Sequence, residues 1–367
     1  MDLTIPLKNY SHDSFLKEIR LSEITGIFSV ICFYANPNIF FKKEEFLGLF
    51  RYGNNKLENM GEIEKLTMNA YYFNEIKEVT YYLYFDEENN ILLAYTQANK
   101  SDMDQTLYRL IKRSIGTYYL PINFTALLKL TNYLVNRFDK MKITYFTALH
   151  HPKFKTRGMH RPDIRRTIIY YGDDGLKAID EMKKYYGMLP RTIEYDVEEY
   201  GKYRVNNEGR FSFMSGHDSI SSWEIFYDII NYVLEDILIY KKIIDKSEYK
   251  IIPYRTDEKI FYLPASTPWI VDFSIELGDE ELDTFIDMLD NNDFTLYNTS
   301  KIYGDSFTLS SMIYDEVKNN KFSLHIDNNK IIIIPYERKI LESFIKIYEV
   351  ISDFDPESIL RSDIYEQ

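Results

Sequence analysis

The sequence predicts an α+β protein built from about three repeated modules, each an antiparallel sheet with two helices on one face. Its 367 residues are long enough for two or three hydrophobic cores. Strand-like and helix-like periodicities follow one another in the same order in each third of the chain. In each third an Asn-Asn pair opens an apolar strand that leads into an amphipathic helix. These pairs are Asn89-Asn90, Asn206-Asn207 and Asn328-Asn329, whose first members lie 117 and 122 residues apart.

The first module is predicted to begin with a strand and a helix and to end with a helix. The predicted elements are a strand at Ile27–Tyr34, a helix at Lys43–Phe50, strands at Thr80–Phe85 and Ile91–Tyr95, and a helix at Asp102–Arg113. An extra helix is predicted at Asn123–Phe138, directly after Leu120-Pro121. Because Asn tolerates the positive φ of tight turns, each Asn pair is interpreted as hairpin chemistry without a functional role.

The second and third modules repeat this order. In the second module we predict strands at Thr167–Tyr171, Thr192–Val197, Tyr203–Val205 and Gly209–Met214, with helices at Leu176–Tyr186 and Ser219–Tyr240. In the third module we predict strands at Trp269–Ile275, Phe294–Tyr297, Phe322–Ile326 and Ile331–Tyr336, with helices at Glu281–Leu289 and Lys339–Ile351. Trp223 and Trp269 lie in apolar patterns and are predicted to be core residues.

These elements predict three domains. They are residues 1–145, with the extra helix at their C-terminal end, residues 146–250, with a basic loop, and residues 251–367, with an acidic tail. The order strand, helix, strands, helix resembles the repeat of TATA-binding-protein-like folds. That resemblance implies a curved sheet backed by two helices and carries no functional residue, because no residue motif accompanies it.

Composition predicts a soluble cytoplasmic protein. The formal net charge is −13, which argues against a protein that coats nucleic acid with its whole surface. No secretory signal is apparent at the N-terminus, and no apolar run reaches the about 18 residues of a membrane span. The single cysteine, Cys32, lies in an apolar strand and is predicted to be a buried structural thiol.

A basic, histidine-rich stretch is the sharpest feature of the sequence. Residues 141–166 contain seven Lys and Arg residues and one acidic residue, in a chain whose net charge is negative. Nearby prolines and a glycine predict a loop. Because the Arg guanidinium matches phosphate oxygens and aromatic rings stack on bases, we predict nucleic-acid or polyphosphate binding here. The predicted binding residues are Lys153, Lys155, Arg157, Arg161, Arg165 and Arg166, extended by Arg204 and Arg210 on the following strands.

Two alternatives for the same stretch remain open. The loop could form salt bridges with an acidic protein partner or with a second copy, which would make the chain a structural or interaction protein. A third hypothesis is a metal-independent ribonuclease that uses His150, His151 or His160 as general acid and base. We predict no metal site, because adjacent histidines in an extended segment point apart.

Other motifs favour structure over chemistry. Gly172-Asp173-Asp174 is similar to the metal-binding turn of palm polymerases, but a helix follows directly, so the aspartates are predicted to cap it. The sequence holds no Walker A loop, dinucleotide fingerprint, nucleophile elbow or zinc-type cysteine pattern. We therefore predict no cofactor and leave open whether the protein is an enzyme.

Overall fold

A computed structural model describes residues 5–21, 26–35, 43–51, 55–114, 116–150, 167–216, 219–245, 249–255, 260–266, 268–303, 307–336, 341–355 and 357–361. The chain divides into two compact units, which are described separately below. The first unit comprises residues 1–150 and 156–235, and the second comprises residues 151–155 and 236–367.

The described part of the first unit contains both strands and helices. Its strands are β1 (Phe28–Ala35), β2 (Lys56–Met60), β3 (Ile63–Tyr71), β4 (Ile76–Asp86), β5 (Ile91–Thr96), β6 (Thr117–Tyr119), β7 (Met141–His150), β8 (Thr167–Tyr171), β9 (Met188–Val197), β10 (Gly201–Asn206) and β11 (Arg210–Gly216). Its helices are α1 (His12–Leu21), α2 (Lys43–Gly48), a 3-10 turn (Leu49–Arg51), α3 (Lys100–Gln105), α4 (Leu107–Arg113), α5 (Phe124–Arg137), α6 (Gly175–Tyr186) and α7 (Ser219–Asp245), the last of which continues past residue 235.

These strands form a single antiparallel sheet in the order β2-β3-β4-β5-β1-β11-β10-β9-β7-β8, with β6 also paired to β1. Strand β1 is its centre, and all eight β1 residues are buried. One edge of β1 pairs with β5, while the other pairs with β11 at Phe28–Ile31 and with β6 at Phe33–Ala35. The first two predicted modules therefore share one sheet. The boundary predicted at residues 145/146 falls inside β7.

Helices cover the two faces of this sheet unequally. On one face, α2, α3 and α4 pack over β1, β3, β4 and β5 around a cluster that includes Phe33, Phe46 and Leu107. On the opposite face, α1 packs through Phe15 on Tyr82, and α7 packs through Trp223. Helices α5, α6 and α7 lie on that same opposite face over strands β7 to β11.

The second unit contains a hairpin and a six-stranded sheet. Its elements are β12 (Tyr249–Arg255), β13 (Ile260–Ser266), β14 (Trp269–Asp272), α8 (Asp279–Asp290), β15 (Phe294–Tyr303), β16 (Phe307–Asp315), β17 (Asn320–Asp327), β18 (Lys330–Pro335), α9 (Leu341–Phe354) and β19 (Ile359–Leu360). Strands β12 and β13 form the hairpin, and the sheet has the order β15-β16-β17-β18-β14-β19. Its core contains Phe285 and Phe354 in ring contact, and Trp269 against Phe344. The domain boundary predicted at residues 250/251 falls inside β12.

A comparison of the strand orders shows how similar the three modules are. The first and third modules share one order, because β2-β3-β4-β5-β1-β6 corresponds strand for strand to β15-β16-β17-β18-β14-β19. In the second module the order is β11-β10-β9-β7-β8, because β7 pairs with β9 and not with the last strand of the meander. The predicted mixture of antiparallel sheets and helices is confirmed.

Several local predictions are also confirmed. Cys32 is buried in β1, and burial raises the pKa of its thiol. Trp223 and Trp269 are both core residues, each 3% exposed. The Asn pairs lie at the turns of the β4–β5, β10–β11 and β17–β18 hairpins, and Asn90 has a φ of 53°. Within the described ranges, no helix is long and apolar enough to cross a membrane.

Candidate nucleic-acid interface

The predicted binding residues divide between described and undescribed parts of the chain. The undescribed residues are Lys153, Lys155, Arg157, Arg161, Arg165, Arg166, His151 and His160. His150 ends β7, and its side chain is outside the description. Arg204 and Arg210 lie on β10 and β11. The undescribed stretch joins two neighbouring strands, because β7 pairs antiparallel with β8 and their last pair is Leu149 opposite Thr167.

We call the sheet face opposite α5, α6 and α7 the open face. The strand register aligns a row of side chains on this face. Successive side chains in a strand point to opposite faces, and directly paired residues share a face. The row crosses six strands and consists of Tyr171, Tyr145, Glu194, Arg204, Ser212 and Ser29. At its end, the hydroxyls of Ser212 and Ser29 are hydrogen-bonded at 2.9 Å, across the β1–β11 seam. The row is continuous from the edge of the sheet to its centre.

Arg204 is held in the middle of this row. Its Nε and Nη2 donate to Oε2 of Glu194 at 3.1 and 2.6 Å, and its guanidinium carbon lies 4.5 Å from the Tyr145 ring centroid. Thr144 donates to the other oxygen of Glu194 at 2.9 Å. Since a guanidinium has five N–H donors, these contacts leave donor capacity for an anion. Arg204 therefore serves first as a structural cation that orients the Tyr145 ring.

Arg210 begins β11 beside a turn that is anchored on β1. Gly209 in that turn has a φ of 69°, and its carbonyl accepts from the Cys32 backbone N–H at 2.9 Å. Burial raises the pKa of Tyr108 and of Tyr145, and the positive charge of Arg210 opposes that rise at both hydroxyls. The charge of Arg210 thus acts on the same ring that Arg204 covers.

More cations than acids lie on the open face. Lys142 and Lys202 both lie opposite Asp196 in the register, and the Lys202 ammonium is 3.2 Å from the Asp196 carboxylate. With Arg204 and Arg210, the described strands β7 to β11 carry four cations on this face against the carboxylates of Glu194 and Asp196. This part of the face is locally positive in a chain whose net charge is −13.

Two aromatic residues on the open face were missed by the sequence reasoning. Tyr145 and Tyr171 lie on paired strands with ring centroids 5.0 Å apart and planes inclined by 53°. Tyr171 is 76% exposed, and Ile169, two residues earlier on β8, is 56% exposed. The strand Thr167–Tyr171 was predicted, but its outward face depended on which neighbour it pairs with.

The Gly-Asp-Asp motif is structural in this protein. Asp174 lies at the N-cap position of α6, as predicted, but its side chain makes no capping hydrogen bond. It accepts instead from the hydroxyl of Tyr170, whose ring stacks on Phe146. Among the residues that the structure describes, no group of three His, Cys, Asp or Glu side chains is arranged to hold a metal ion.

A second group of polar contacts lies at the start of α1. His12, at the start of α1, stacks on Tyr84 with centroids 3.6 Å apart, and its Nε2 is 2.7 Å from the Tyr95 hydroxyl. Burial lowers the pKa of His12 and raises that of Tyr95. The pair attaches α1 to the sheet.

Two comparisons set this chain beside known proteins. Residues 125–208 match the AF_0896_M family middle domain. The matched range begins in α5 and ends just after β10, so it includes Tyr145, Tyr171, Glu194 and Arg204. An uncharacterized protein of Archaeoglobus fulgidus is 25% identical over 296 residues, which cover 78% of this chain and 79% of that protein. The middle of this chain is similar to that family's middle domain.

Proposed function

We propose that this protein binds nucleic acid or another polyphosphate through its second module. The contacts would come from the predicted basic residues of the β7–β8 connection together with Arg204 and Arg210. The observation that carries the proposal is the shared position of Arg204, Arg210 and the aromatic pair on one open face. The same sheet contributes the two strands that the basic stretch connects.

Topology supports a single positive region. Strand β9 runs antiparallel to both β7 and β10, with Met188 opposite His150 and Thr192 opposite Asn206. The C-terminal end of β7 and the turn before Arg210 therefore lie at the same end of the sheet. The described strands on either side of the basic connection, β7 and β8, therefore have their connected ends at the end of the sheet where Arg210 begins β11. Concentrated charge of this kind binds phosphates even when the protein as a whole is acidic.

The test is fluorescence anisotropy with labelled single-stranded RNA, single-stranded DNA and duplex DNA at low and near-physiological salt. A variant with Arg157→Glu, Arg161→Glu and Arg165→Glu should lose most of the binding. Because each neutralised phosphate contributes about 0.7–0.9 to the slope of log affinity against log salt, that slope should fall by about 2–3.

A matched control carries the same change in net charge elsewhere. Lys17, Arg51 and Lys56 are exposed residues of the first module, and replacing all three with glutamate alters the overall charge equally. The control should bind almost as well as the unaltered protein. Equal binding by both triple variants would contradict the proposed site.

A second candidate is an interaction protein that binds an acidic partner or a second copy through the same region. The observation that favours it is that Arg204 and Lys202 already pair with Glu194 and Asp196 on the open face. Light scattering should then show an oligomer, and the variant with the three arginine-to-glutamate substitutions should be a monomer. The ribonuclease hypothesis stays a prediction from the sequence. It would be contradicted by cleavage that survives replacement of His150, His151 and His160 with alanine.

Two broader expectations remain proposals. The strand order shared by the first and third modules supports a TATA-binding-protein-like repeat. A comparison of the backbones of residues 28–119 and 269–360 with that fold would test it. We also propose a cytoplasmic location, which fractionation of cells that express the tagged full chain would test.

A further inference from the structure

The geometry of the open face points to a single-stranded nucleic acid as the ligand, with Tyr171 and Tyr145 as the stacking platform for its bases. This inference rests on the proposed function, because it names the class of ligand for the same site. Four observations about β8 and its neighbours carry it.

The first observation is the exposure pattern of β8. Thr167, Ile169 and Tyr171 are exposed, whereas Ile168 and Tyr170 are half-buried and point toward the helices. Strand residues two apart lie about 6.6 Å from each other on one face. Ile169 and Tyr171 therefore form a contiguous apolar surface on the edge strand, beside the polar row. A single exposed apolar residue is ordinary, but an aromatic and aliphatic pair next to cations is a feature of binding surfaces.

The second observation is that the aromatic pair is held in place. Tyr145 contacts Tyr171 on one side and the guanidinium of Arg204 on another, at the distances given above. Glu194 is only 8% exposed and fixes that guanidinium, while Thr144 fixes Glu194. A ring supported in this way loses little conformational freedom when a base stacks on it. The platform is pre-organised in the free protein.

The third observation is the order of the described side chains across the open face. The register places Tyr171 and Tyr145 at the edge, then Arg204 on β10, and Arg210 on the next strand. A strand of nucleic acid that crosses this face from β8 toward β11 would meet base-stacking rings and phosphate-binding cations in succession. Such a combination of an aromatic surface and a positively charged track is how proteins bind single strands without sequence preference.

The fourth observation is the shape of the surface. Over β7 to β11 the packed helices α5, α6 and α7 lie on the opposite side, so these described strands present a sheet surface on the open face. Helices α2, α3 and α4 lie on the same side as the open face, but over β1, β3, β4 and β5. Duplex DNA keeps its bases stacked inside the helix, and side chains reach them only through the grooves. A single strand can turn unstacked bases onto a flat sheet. The platform therefore favours single strands over duplexes.

The test uses Tyr171→Leu, which removes the π face but keeps an apolar side chain, and Tyr171→Phe, which keeps the ring. The probes are a labelled 20-nucleotide oligouridylate, a 20-nucleotide single-stranded DNA and a 20-base-pair duplex. The leucine variant should weaken binding of both single strands by about 5- to 150-fold, the range that stacking of one base supports. It should leave duplex binding within about twofold, and the phenylalanine variant should bind all probes like the unaltered protein.

Tyr185→Leu is the matched control, because Tyr185 is 57% exposed on α6, on the helical side of the sheet. It should leave every affinity unchanged. If the leucine variant at 171 binds single strands normally while the three arginine reversals abolish binding, the platform is wrong and the proposed function stands. If no probe binds the unaltered protein at low salt, both are wrong. A thermal melt of each variant confirms folding, which the high exposure of both tyrosines should leave unaffected.

Discussion

Replacing Gly209 with alanine tests the joint that connects the two halves of the eleven-stranded sheet. Gly209 has a φ of 69°, and a Cβ built on it would lie 2.6 Å from the Leu120 carbonyl oxygen and 3.0 Å from the Cys32 carbonyl oxygen. Both oxygens are backbone atoms, and the Cys32 carbonyl already accepts from the Leu120 N–H at 3.1 Å. The Cys32 carbonyl belongs to β1, and Leu120 is hydrogen-bonded to it, so a shift of either residue would disturb that hydrogen bond.

The magnitude follows from two separate costs. A non-glycine residue in the left-handed region costs about 1–2 kcal/mol, and a methyl group forced into a packed site costs about 1–3 kcal/mol more. Gly209→Ala should therefore lower the free energy of unfolding by about 2–5 kcal/mol. In a unit of this size, the melting temperature should fall by roughly 5–15 °C.

Gly26→Ala is the control that separates these costs. Gly26 also has a positive φ, at 95°, but nothing lies within 4 Å of its ideal Cβ position. It should show only the conformational cost of about 1–2 kcal/mol. The assay is urea denaturation with comparison of the slopes, followed by calorimetry. Equal destabilisation by the two substitutions would refute the reasoning, because the close approach of the turn to β1 would then have no energetic weight.

Two further predictions concern partly buried polar groups. Glu194→Gln should destabilise the protein by about 1–3 kcal/mol in urea denaturation, because Arg204 loses its charge-assisted partner. Glu198→Gln, at an exposed ion pair, should cost at most about 1 kcal/mol, and equal effects would show that the Arg204 contact carries no special weight. Burial lowers the folded-state pKa of His12 below the unfolded value of about 6.5. The stability that neutral His12 contributes is therefore complete above about pH 6.5 and is lost as the pH falls toward the folded-state pKa. The difference in unfolding free energy between the unaltered protein and His12→Gln should shrink between pH 7 and pH 5, and a constant difference would contradict this assignment.

The candidate site was only partly accessible from the sequence. The charge pattern identified the basic stretch, Arg204 and Arg210, because charge composition is a property of the sequence itself. Tyr145 and Tyr171 were not distinguished from the other tyrosines of the chain, which has 33. Their selection depends on strand register, which places them side by side on the face of β7 and β8 opposite α5 and α6. Likewise, Glu194 was one acid among many until pairing set it opposite Arg204.

The sequence by itself determined the local elements. The helix predicted at Asn123–Phe138 is α5, the strand predicted at Thr167–Tyr171 is β8, and the three Asn pairs mark hairpin turns. These features depend on hydrophobic periodicity, capping and turn chemistry, all of which act over a few residues. Local rules of this kind also identified the buried strand around Cys32.

Only the tertiary structure decided how these elements combine. Strand β1 pairs with β11 so that Ser29 lies beside Ser212, 183 residues away, and this pairing joins two predicted modules into one sheet. Strand β7 likewise pairs with β9, and this pairing gives the second module a strand order that differs from that of the other two modules. Strand pairing depends on how well two whole strands fit together and bury their apolar faces, although they lie far apart in the sequence. No local sequence pattern specifies it. The open face, with its tyrosines and arginines, is a product of those long-range pairings.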